Sequence, residues 1–375
     1  MDHPNSLVPQ KNIDLTSPNN SNHYDVIVIG AGLTGAIVAH QLSASKSVLV
    51  IEKARGSGGR LSSKRVSGLP QGYENAPQFS SASLGCDEFS LSTQTVHTYL
   101  SRLCTDALAM TELDDGYKCA VKGRSSAWTR ALIKESSLAF HERVQSVVMH
   151  DGIWTVTTEC LSEQNISKTY SASHVILTTP PKQTIELVTA QRDAMPLLKG
   201  VEHSACWLSV LILEDLPAYR KAIETFNAQL SPNSMGLVHC QVFAELDTPH
   251  VGAEKARALM GLKLFADEGW SKENADADKQ TIMANFVTLL AELLGVSVDQ
   301  LVEQITFKHC HRWLYSRPMG STCLPNAYAN LGAGLMLAGD YFCGAISGIE
   351  SAIISGCEAS QQVIAENALE TEASL

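Results

Sequence analysis

The sequence predicts a two-domain α/β protein, and three observations carry that expectation. Val26 to Ile29 is a β-branched run without a breaker, which reads as a buried parallel strand. It runs into Gly30, Gly32 and Gly35, a helix over roughly Leu33 to Ala44, and a second apolar strand, Val48 to Ile51, closed by Glu52. Near the other end, Leu335 to Ala338 reads as a strand ending in Gly339-Asp340, followed by an apolar helix to about Ile364. Between them lie strands and amphipathic helices without a βαβ rhythm, which predict a second, α+β domain on a mainly antiparallel sheet.

Each part of the opening unit has a physical task. Gly30 permits a tight turn, Gly32 lets the backbone approach a pyrophosphate, and Gly35 allows close helix–strand packing. The helix opened by Leu33 and Thr34 points its positive end at those phosphates. Glu52 lies about 20 residues further on, where a carboxylate accepts hydrogen bonds from ribose hydroxyls and repels a 2′-phosphate. Strand, glycines, helix, second strand and terminal acid together predict a Rossmann-like domain of the NAD(P)-binding type that holds a dinucleotide.

Composition narrows the function. The chain has 375 residues, of which 45% are hydrophobic, enough for a substantial core. No apolar run approaches about 18 residues, so no membrane partner is expected. The net charge of −11 argues against a nucleic-acid partner, which needs clustered cations. Ten scattered cysteines, with no Cys-x-x-Cys pair and no zinc spacing, read as reduced thiols in a cytoplasmic protein. Residues 1–22 are rich in Asn, Ser and Pro and read as a disordered extension. Residues 366–375 read as a flexible acidic tail, and Asn165-Ile166-Ser167 as an unused sequon.

After Glu52 come Lys53 and Gly56, Gly58 and Gly59, which keep the backbone close to the diphosphate. Arg60, followed by Leu61, offers a guanidinium fork to its oxygens. Gly30-x-Gly32-x-x-Gly35, Glu52 and Gly58-Gly59-Arg60 together resemble the FAD-binding amine-oxidase superfamily, whose Rossmann-like domain is of the glutathione-reductase type. Within it, the short length and several later stretches resemble the renalase family, flavin oxidases of misreduced nicotinamide dinucleotides. That family continues with an acid, Gly-Ala-Gln and an aromatic. Here Glu74-Asn75-Ala76-Pro77-Gln78-Phe79 keeps Gln78 and Phe79 but puts Ala76 and Pro77 in the middle.

Residues 81–136 read as a helix around Leu91 to Cys104, a turn at Asp114-Asp115-Gly116, and a helix from Trp128 to Ser136. The segment Val121 to Ser126 resembles the one before a helix lying over the cofactor. Strands follow at Phe140 to Val148 and Trp154 to Thr158, across an Asp151-Gly152 hairpin signal. Val144 is core, adenine contact by resemblance, or both. His174 to Thr178, ended by Pro180-Pro181, reads as a strand returning to the dinucleotide sheet. Strands are then expected over Ala205 to Leu213, Met235 to Phe243 and Ala258 to Phe265, and an amphipathic helix over Thr281 to Leu294. Trp207 is either core or a substrate-facing aromatic.

The segment Phe307 to Ser316 resembles the family stretch with a basic residue before Trp313, although Leu314 stands where many relatives carry Arg. His309 and His311 share one face of a strand but lack a third ligand, so no metal is expected. The resemblance implies that Asp340 bonds ribityl or phosphate oxygens. It also brings Glu350, Ser351 and Ala352 of the next helix to the flavin N1–C2=O edge, where amides stabilise reduced flavin. As a first-turn acid, Glu350 also complements the helix dipole.

The expected division is 23–80, 137–182 and 305–365 for the FAD domain, and 81–136 with 183–304 for the substrate lid. Gly339 and Thr178 complete the expected cofactor set; Gln78, Phe79, Trp207 and Trp313 are the substrate-side candidates. The resemblance implies non-covalent FAD, a small-molecule substrate such as a dihydro-NAD(P) isomer, and O2 as acceptor. No indispensable acid or base stands out, which suits hydride loss from a dihydropyridine. The rivals are an amine or polyamine oxidase using Lys263 near flavin N5, and a non-catalytic FAD-binding protein.

Overall fold

A computed structural model of the chain describes residues 22–69, 73, 79–86, 88–163, 166–188, 194–228, 237–246, 258–346 and 348–373. The expected extension lies outside these residues except for Asn22, whose side-chain amide donates to Thr169 O at 3.0 Å.

β1 (His23–Ile29), α1 (Leu33–Leu42) and β2 (Val48–Glu52) form the opening unit, the two strands parallel and in register from Val26↔Val48 to Ile29↔Ile51. Alternation sends Val26 and Val28 into the core under α1, and Ile27 and Ile29 into the core on the opposite face. β3 (Ser63–Arg65) and β4 (Ser81–Ser83) make a short antiparallel pair.

β5 (Glu88–Ser92), α2 (Thr93–Tyr99), β6 (Leu108–Leu113) and β7 (Gly116–Val121) supply a three-stranded sheet in the order β5-β7-β6. The helix predicted from Leu91 instead begins at Thr93, because Ser92 stays extended and caps it by accepting the Thr95 amide. Leu91, Leu100, Leu103, Leu108 and Cys119 share one core with α1. Residues 91–133 therefore pack largely on the dinucleotide domain, whereas Ala82 and Leu84 pack on the second sheet.

α3 (Ala127–Leu132) leads to β8 (Ser137–Phe140), parallel to β2. β9 (Glu142–His150) and β10 (Ile153–Cys160) form a hairpin turning on Asp151 (φ 49) and Gly152 (φ 80), the left-handed pair that an Asp-Gly turn supplies. β11 (Ser167–Leu177) pairs antiparallel with β10 over its first half and parallel with β1 over its second. Pro181 then opens α4 (Pro181–Leu187).

α5 (Ala194–Lys199) precedes the second domain: β12 (His203–Glu214), α6 (Pro217–Ala228), β13 (Leu237–Leu246), β14 (Leu259–Ala266), α7 (Glu268–Glu273), α8 (Lys279–Leu294), α9 (Val298–Gln304) and β15 (Ile305–Pro318). Its sheet runs β13-β14-β12-β15 and is antiparallel throughout. The outer face buries Leu211, Leu213, Met260 and Leu262 against Ile282 and Phe286 of α8. The inner face turns Leu208, Val210 and Ile212 toward Phe79, Ala82 and Leu84. Residues 305–318, predicted in the dinucleotide domain, are the fourth strand here, because β12 offers them a partner along its length.

β16 (Ala329–Asn330) and β17 (Leu335–Leu337) complete the main sheet, ordered β16-β17-β11-β1-β2-β8. α10 (Ile349–Ala373) closes it, with Gly356 so near α1 that a Cβ would lie 3.0 Å from Thr34 O. It continues through 366–373, where the sequence predicts a flexible tail; Ala, Leu and Glu, all strong helix formers, extend it. The ten cysteines are all unbridged thiols. Among the described residues no single helix is long and apolar enough to cross a membrane.

Candidate cofactor and active site

β1 delivers Gly30 to the carboxyl edge of the main sheet, between Glu52 at the end of β2 and Thr178 after β11. Gly30 has φ 106, and a Cβ there would lie 2.8 Å from Thr178 Oγ1. Thr178 Oγ1 lies within hydrogen-bonding distance of the carbonyls of Ile29 (3.0 Å) and Gly30 (3.1 Å), so this side chain braces the turn. Gly35 is tighter still: its Cβ would lie 2.0 Å from the Gly30 carbonyl oxygen. Gly32 differs, because among the described residues nothing lies within 4 Å of where its Cβ would stand.

α1 has no side-chain cap and no acid in its first turn, and its first backbone donor is Ala36 N–H to Gly32 O at 2.9 Å. The amides of Leu33, Thr34 and Gly35 thus begin the helix without a helical acceptor. An uncapped N-terminus over an open glycine fits a diphosphate. Glu52 is held in place beside it, accepting Ala31 N–H at 2.9 Å and Ala54 N–H at 2.8 Å. A carboxylate retains further lone pairs for ribose hydroxyls after those two bonds.

The second glycine loop leans on the first. Gly58 N–H donates to Ala31 O at 2.8 Å, and a Cβ on Gly59 (φ 53) would lie 3.2 Å from Gly32 Cα. Leu61 is buried below it. Lys53 turns outward to Gln183 Oε1 at 3.1 Å. Val144 sits in the core beneath β9.

Arg60 does not stand open as a fork. Its Nη1 and Nη2 donate to Asp340 Oδ2 (2.5 Å) and Oδ1 (2.6 Å), and Nη1 also to Ser316 O at 3.0 Å. The loop bearing Asp340 is pinned from α10: Ser351 Oγ donates to Asp340 O and Phe342 O, and Gly339 N–H to Ser355 Oγ. Gly339 also leaves room for the Tyr341 ring, whose Cε1 would lie 2.4 Å from a Cβ there. Ala352 is buried one turn into the helix. Glu350 accepts Ser92 Oγ at 2.5 Å and Ser92 N–H at 3.0 Å. Burial raises its pKa, but those bonds outweigh it and leave the carboxyl below its usual range.

Sequence reasoning passes over His203, which begins β12 and stands edge-on to Tyr315 at 6.0 Å and Tyr341 at 6.3 Å. Burial pushes its pKa down to about 4; nearby Asp340 opposes this, and Arg60 and Lys182 add to it. Of these, Tyr315 lies in the segment that the sequence singles out, two places after Trp313, and Tyr341 is marked only by following Gly339-Asp340.

On the substrate side, Gln78 lies outside the described residues. Phe79 is fully buried, packed with Ile212, Ala244 and Leu259. Trp313 is on the inner face beside Leu208 and Val210, donating its indole N–H to Leu84 O at 2.6 Å, with the His311 ring 4.2 Å away. Trp207 lies on the opposite face of the sheet. It points into the outer, helix-covered core, bonds Asn274 O at 2.9 Å and lies under the Arg312 guanidinium. Lys263 is fully buried on the inner face, with Nζ 5.8 Å from the Phe265 ring. His309 and His311 share that face, and burial, with Lys279 near both, Lys64 near His309 and His309 near His311, holds each pKa near about 4.

Comparison with known families matches residues 28–84 to the NAD(P)-binding Rossmann-like domain and residues 70–364 to the flavin containing amine oxidoreductases. Among solved structures, a putative protoporphyrinogen oxidase from Exiguobacterium sp. 255-15 superposes with TM-score 0.60 at 10% identity, over 91% of this chain and 98% of that one. A putrescine oxidase mutant redesigned in cofactor binding superposes with TM-score 0.58 at 13% identity, over 92% and 99%. At such identities the likeness is one of fold.

Proposed function

The chain belongs to the flavin containing amine oxidoreductase family, and on that premise we propose that it oxidises dihydronicotinamide dinucleotide isomers, with O2 as the acceptor. It is a FAD-dependent oxidoreductase. When bound, the flavin would supply the redox chemistry, acceptance of a hydride from the substrate and reoxidation by O2, which with a proton gives hydrogen peroxide. The protein's own groups bind, orient and exclude water. Gly32 and the α1 amides would hold the diphosphate, Glu52 the ribose, and the Asp340 loop with the α10 N-terminus the flavin end. No Cys, His or Tyr is assigned to a covalent link, so acid precipitation releases the flavin into the supernatant.

The position of Lys263 supports this reading over an amine oxidase. Cross-strand, Lys263 aligns with Val210, and Val210 with His309. His309 is seven residues along β15 from Ser316, where Arg60 ties the cofactor loops to the strand, or about 23 Å at 3.3 Å per residue. The residues next to that tie include Trp313, Tyr315 and Cys206, which offer apolar and aromatic surface, beside the cations Arg317 and Lys182. Such a surface suits a planar dihydropyridine, whose hydride leaves without proton abstraction once the ring is held about 3–3.5 Å from N5.

Anaerobic stopped-flow reduction tests it, with 2- and 6-dihydro isomers, ordinary NADH, and mono- and polyamines as reductants. Rapid bleaching by the dihydro isomers is expected. Bleaching by an amine alone would establish the amine-oxidase reading, and bleaching by nothing the non-catalytic one.

A further inference from the structure

We infer that the cleft between the β7–α3 loop and α3 binds the diphosphate of a small nucleotide, at a place separate from the cofactor cradle. The cleft has a volume of about 580 Å³, and its cations are Lys122, Arg124, Arg130 and Lys134. That volume falls within the range of small-molecule sites. Among the described residues no carboxylate lines it, in a protein whose net charge is −11. Among the described residues, the only ion pair made by these four is Lys134 with Glu135 at 3.8 Å, between exposed ends that contribute little.

Four cations gathered with one weak counter-charge, Glu135, repel one another, and an anion in their midst relieves that repulsion. Two of them are arginines, whose planar forks match phosphate oxygens in pairs. The scaffold beneath is fastened. Ser125 Oγ lies 2.8 Å from Ser63 Oγ and donates to Ser62 O, and Thr129 Oγ1 bonds Ser57 Oγ at 3.0 Å. Those partners belong to the stretch that meets Gly32 through Gly59. Cleft and cradle thus share the 57–63 loop as a wall, and a diphosphate in one does not require vacating the other. The volume suits a mononucleotide, and the negative charge of the whole chain disfavours a long nucleic acid. The inference stands whatever the oxidised substrate is.

The test uses FAD-saturated protein, so that the cradle is filled, and isothermal titration with inorganic pyrophosphate, ADP, adenosine and sulfate. Pyrophosphate and ADP should bind at one site, and adenosine should not. A double variant, Arg124→Gln with Arg130→Gln, should weaken both by at least about tenfold, the effect of losing a charge-assisted hydrogen bond. Its flavin-to-protein ratio should not change, since both side chains are exposed. Lys122→Gln with Lys134→Gln should reproduce the loss from the other rim. No binding at millimolar pyrophosphate, full affinity in both double variants, or sulfate binding as well as pyrophosphate would overturn the site. Loss of flavin from the arginine variant would place those residues in the cofactor cradle and overturn the separation.

Discussion

Arg60 and Asp340 meet fork to fork, two N–H donors against two carboxylate oxygens at 2.5 and 2.6 Å, across 280 residues of sequence. Burial alone would lower the arginine's pKa, and Asp340 raises it, so the guanidinium is held charged. The pair joins the second glycine loop to the loop before α10, and the Ser316 carbonyl ties both to the second domain. Two groups expected to touch the cofactor separately are therefore one unit.

Asp340→Ala should release flavin more than any change in the outer core of the second sheet. Asp340 is 3% exposed, and its loss removes two charge-assisted bonds, about 1.5–3 kcal/mol each. Trp207→Ala should instead lower global stability by about 3–5 kcal/mol while the folded fraction keeps its flavin. Flavin-to-protein ratios and urea midpoints of the two variants separate these outcomes. Greater flavin loss from the tryptophan variant contradicts the assignment of Trp207 to the outer core.

Gly32 and Gly35 should respond oppositely to alanine. At Gly35 the new Cβ would stand 2.0 Å from the Gly30 carbonyl, so the variant should fold poorly with or without FAD. At Gly32 the Cβ meets nothing within 4 Å among the described residues and φ is −70, so folding should change by less than about 1 kcal/mol. FAD affinity should fall sharply, because the methyl occupies the diphosphate's approach. Thermal melts of apoprotein, set beside flavin titration, check both halves. A Gly32→Ala protein that binds FAD normally would place the diphosphate elsewhere.

The opening unit was legible because it is local: strand, glycines, helix and acid lie within thirty residues or so, each with its own period or turn rule. The middle was not. β15 carries polar and apolar residues on both faces, so its alternation does not say which sheet it joins; only pairing with β12 does. Trp207 and Leu208 are adjacent in sequence, and a strand sends them to opposite faces, one to the helices and one inward. Which face is which depends on register, a tertiary property. The Arg60–Asp340 bond and the place of His203 belong to the same class, because partners far apart in sequence leave no periodic trace.

Acid should destabilise the fold over a defined window. His203, His309 and His311 have folded-state pKa values near about 4, against an ordinary value of about 6.5. Between these limits the unfolded chain binds more protons than the folded one, so stability rises with pH and is lost as pH falls from about 6.5 toward 4. Urea midpoints at pH 7 and pH 5 should show the drop, and His309→Gln should flatten it. An equal slope in the variant removes His309 from the account.

Glu52→Ala should weaken FAD by about 1.5–3 kcal/mol through the lost ribose contact. The structure adds a second effect, because the carboxylate also holds the Ala31 and Ala54 amides. Glu52→Gln keeps one acceptor oxygen and should fall between wild type and alanine. Fluorescence titration of apoprotein measures all three, and equal affinities would take Glu52 out of the site.

Lys263→Met decides between the two redox readings most directly. The substitution keeps the unbranched side chain as far as the ε position and removes the ammonium group, at a position fully buried on the inner face. If Lys263 held a water against flavin N5, that contact would act on the reacting atoms, and kcat and kcat/KM would fall together. The separation along β15 argues otherwise: the rate of flavin reduction by dihydro isomers should stay within a factor of about ten, less than 1.4 kcal/mol. Chevron or melting data on the same variant report any effect on packing separately. A collapse of reduction rate in a stably folded, FAD-loaded Lys263→Met protein would bring the lysine into the active site and favour an amine as substrate.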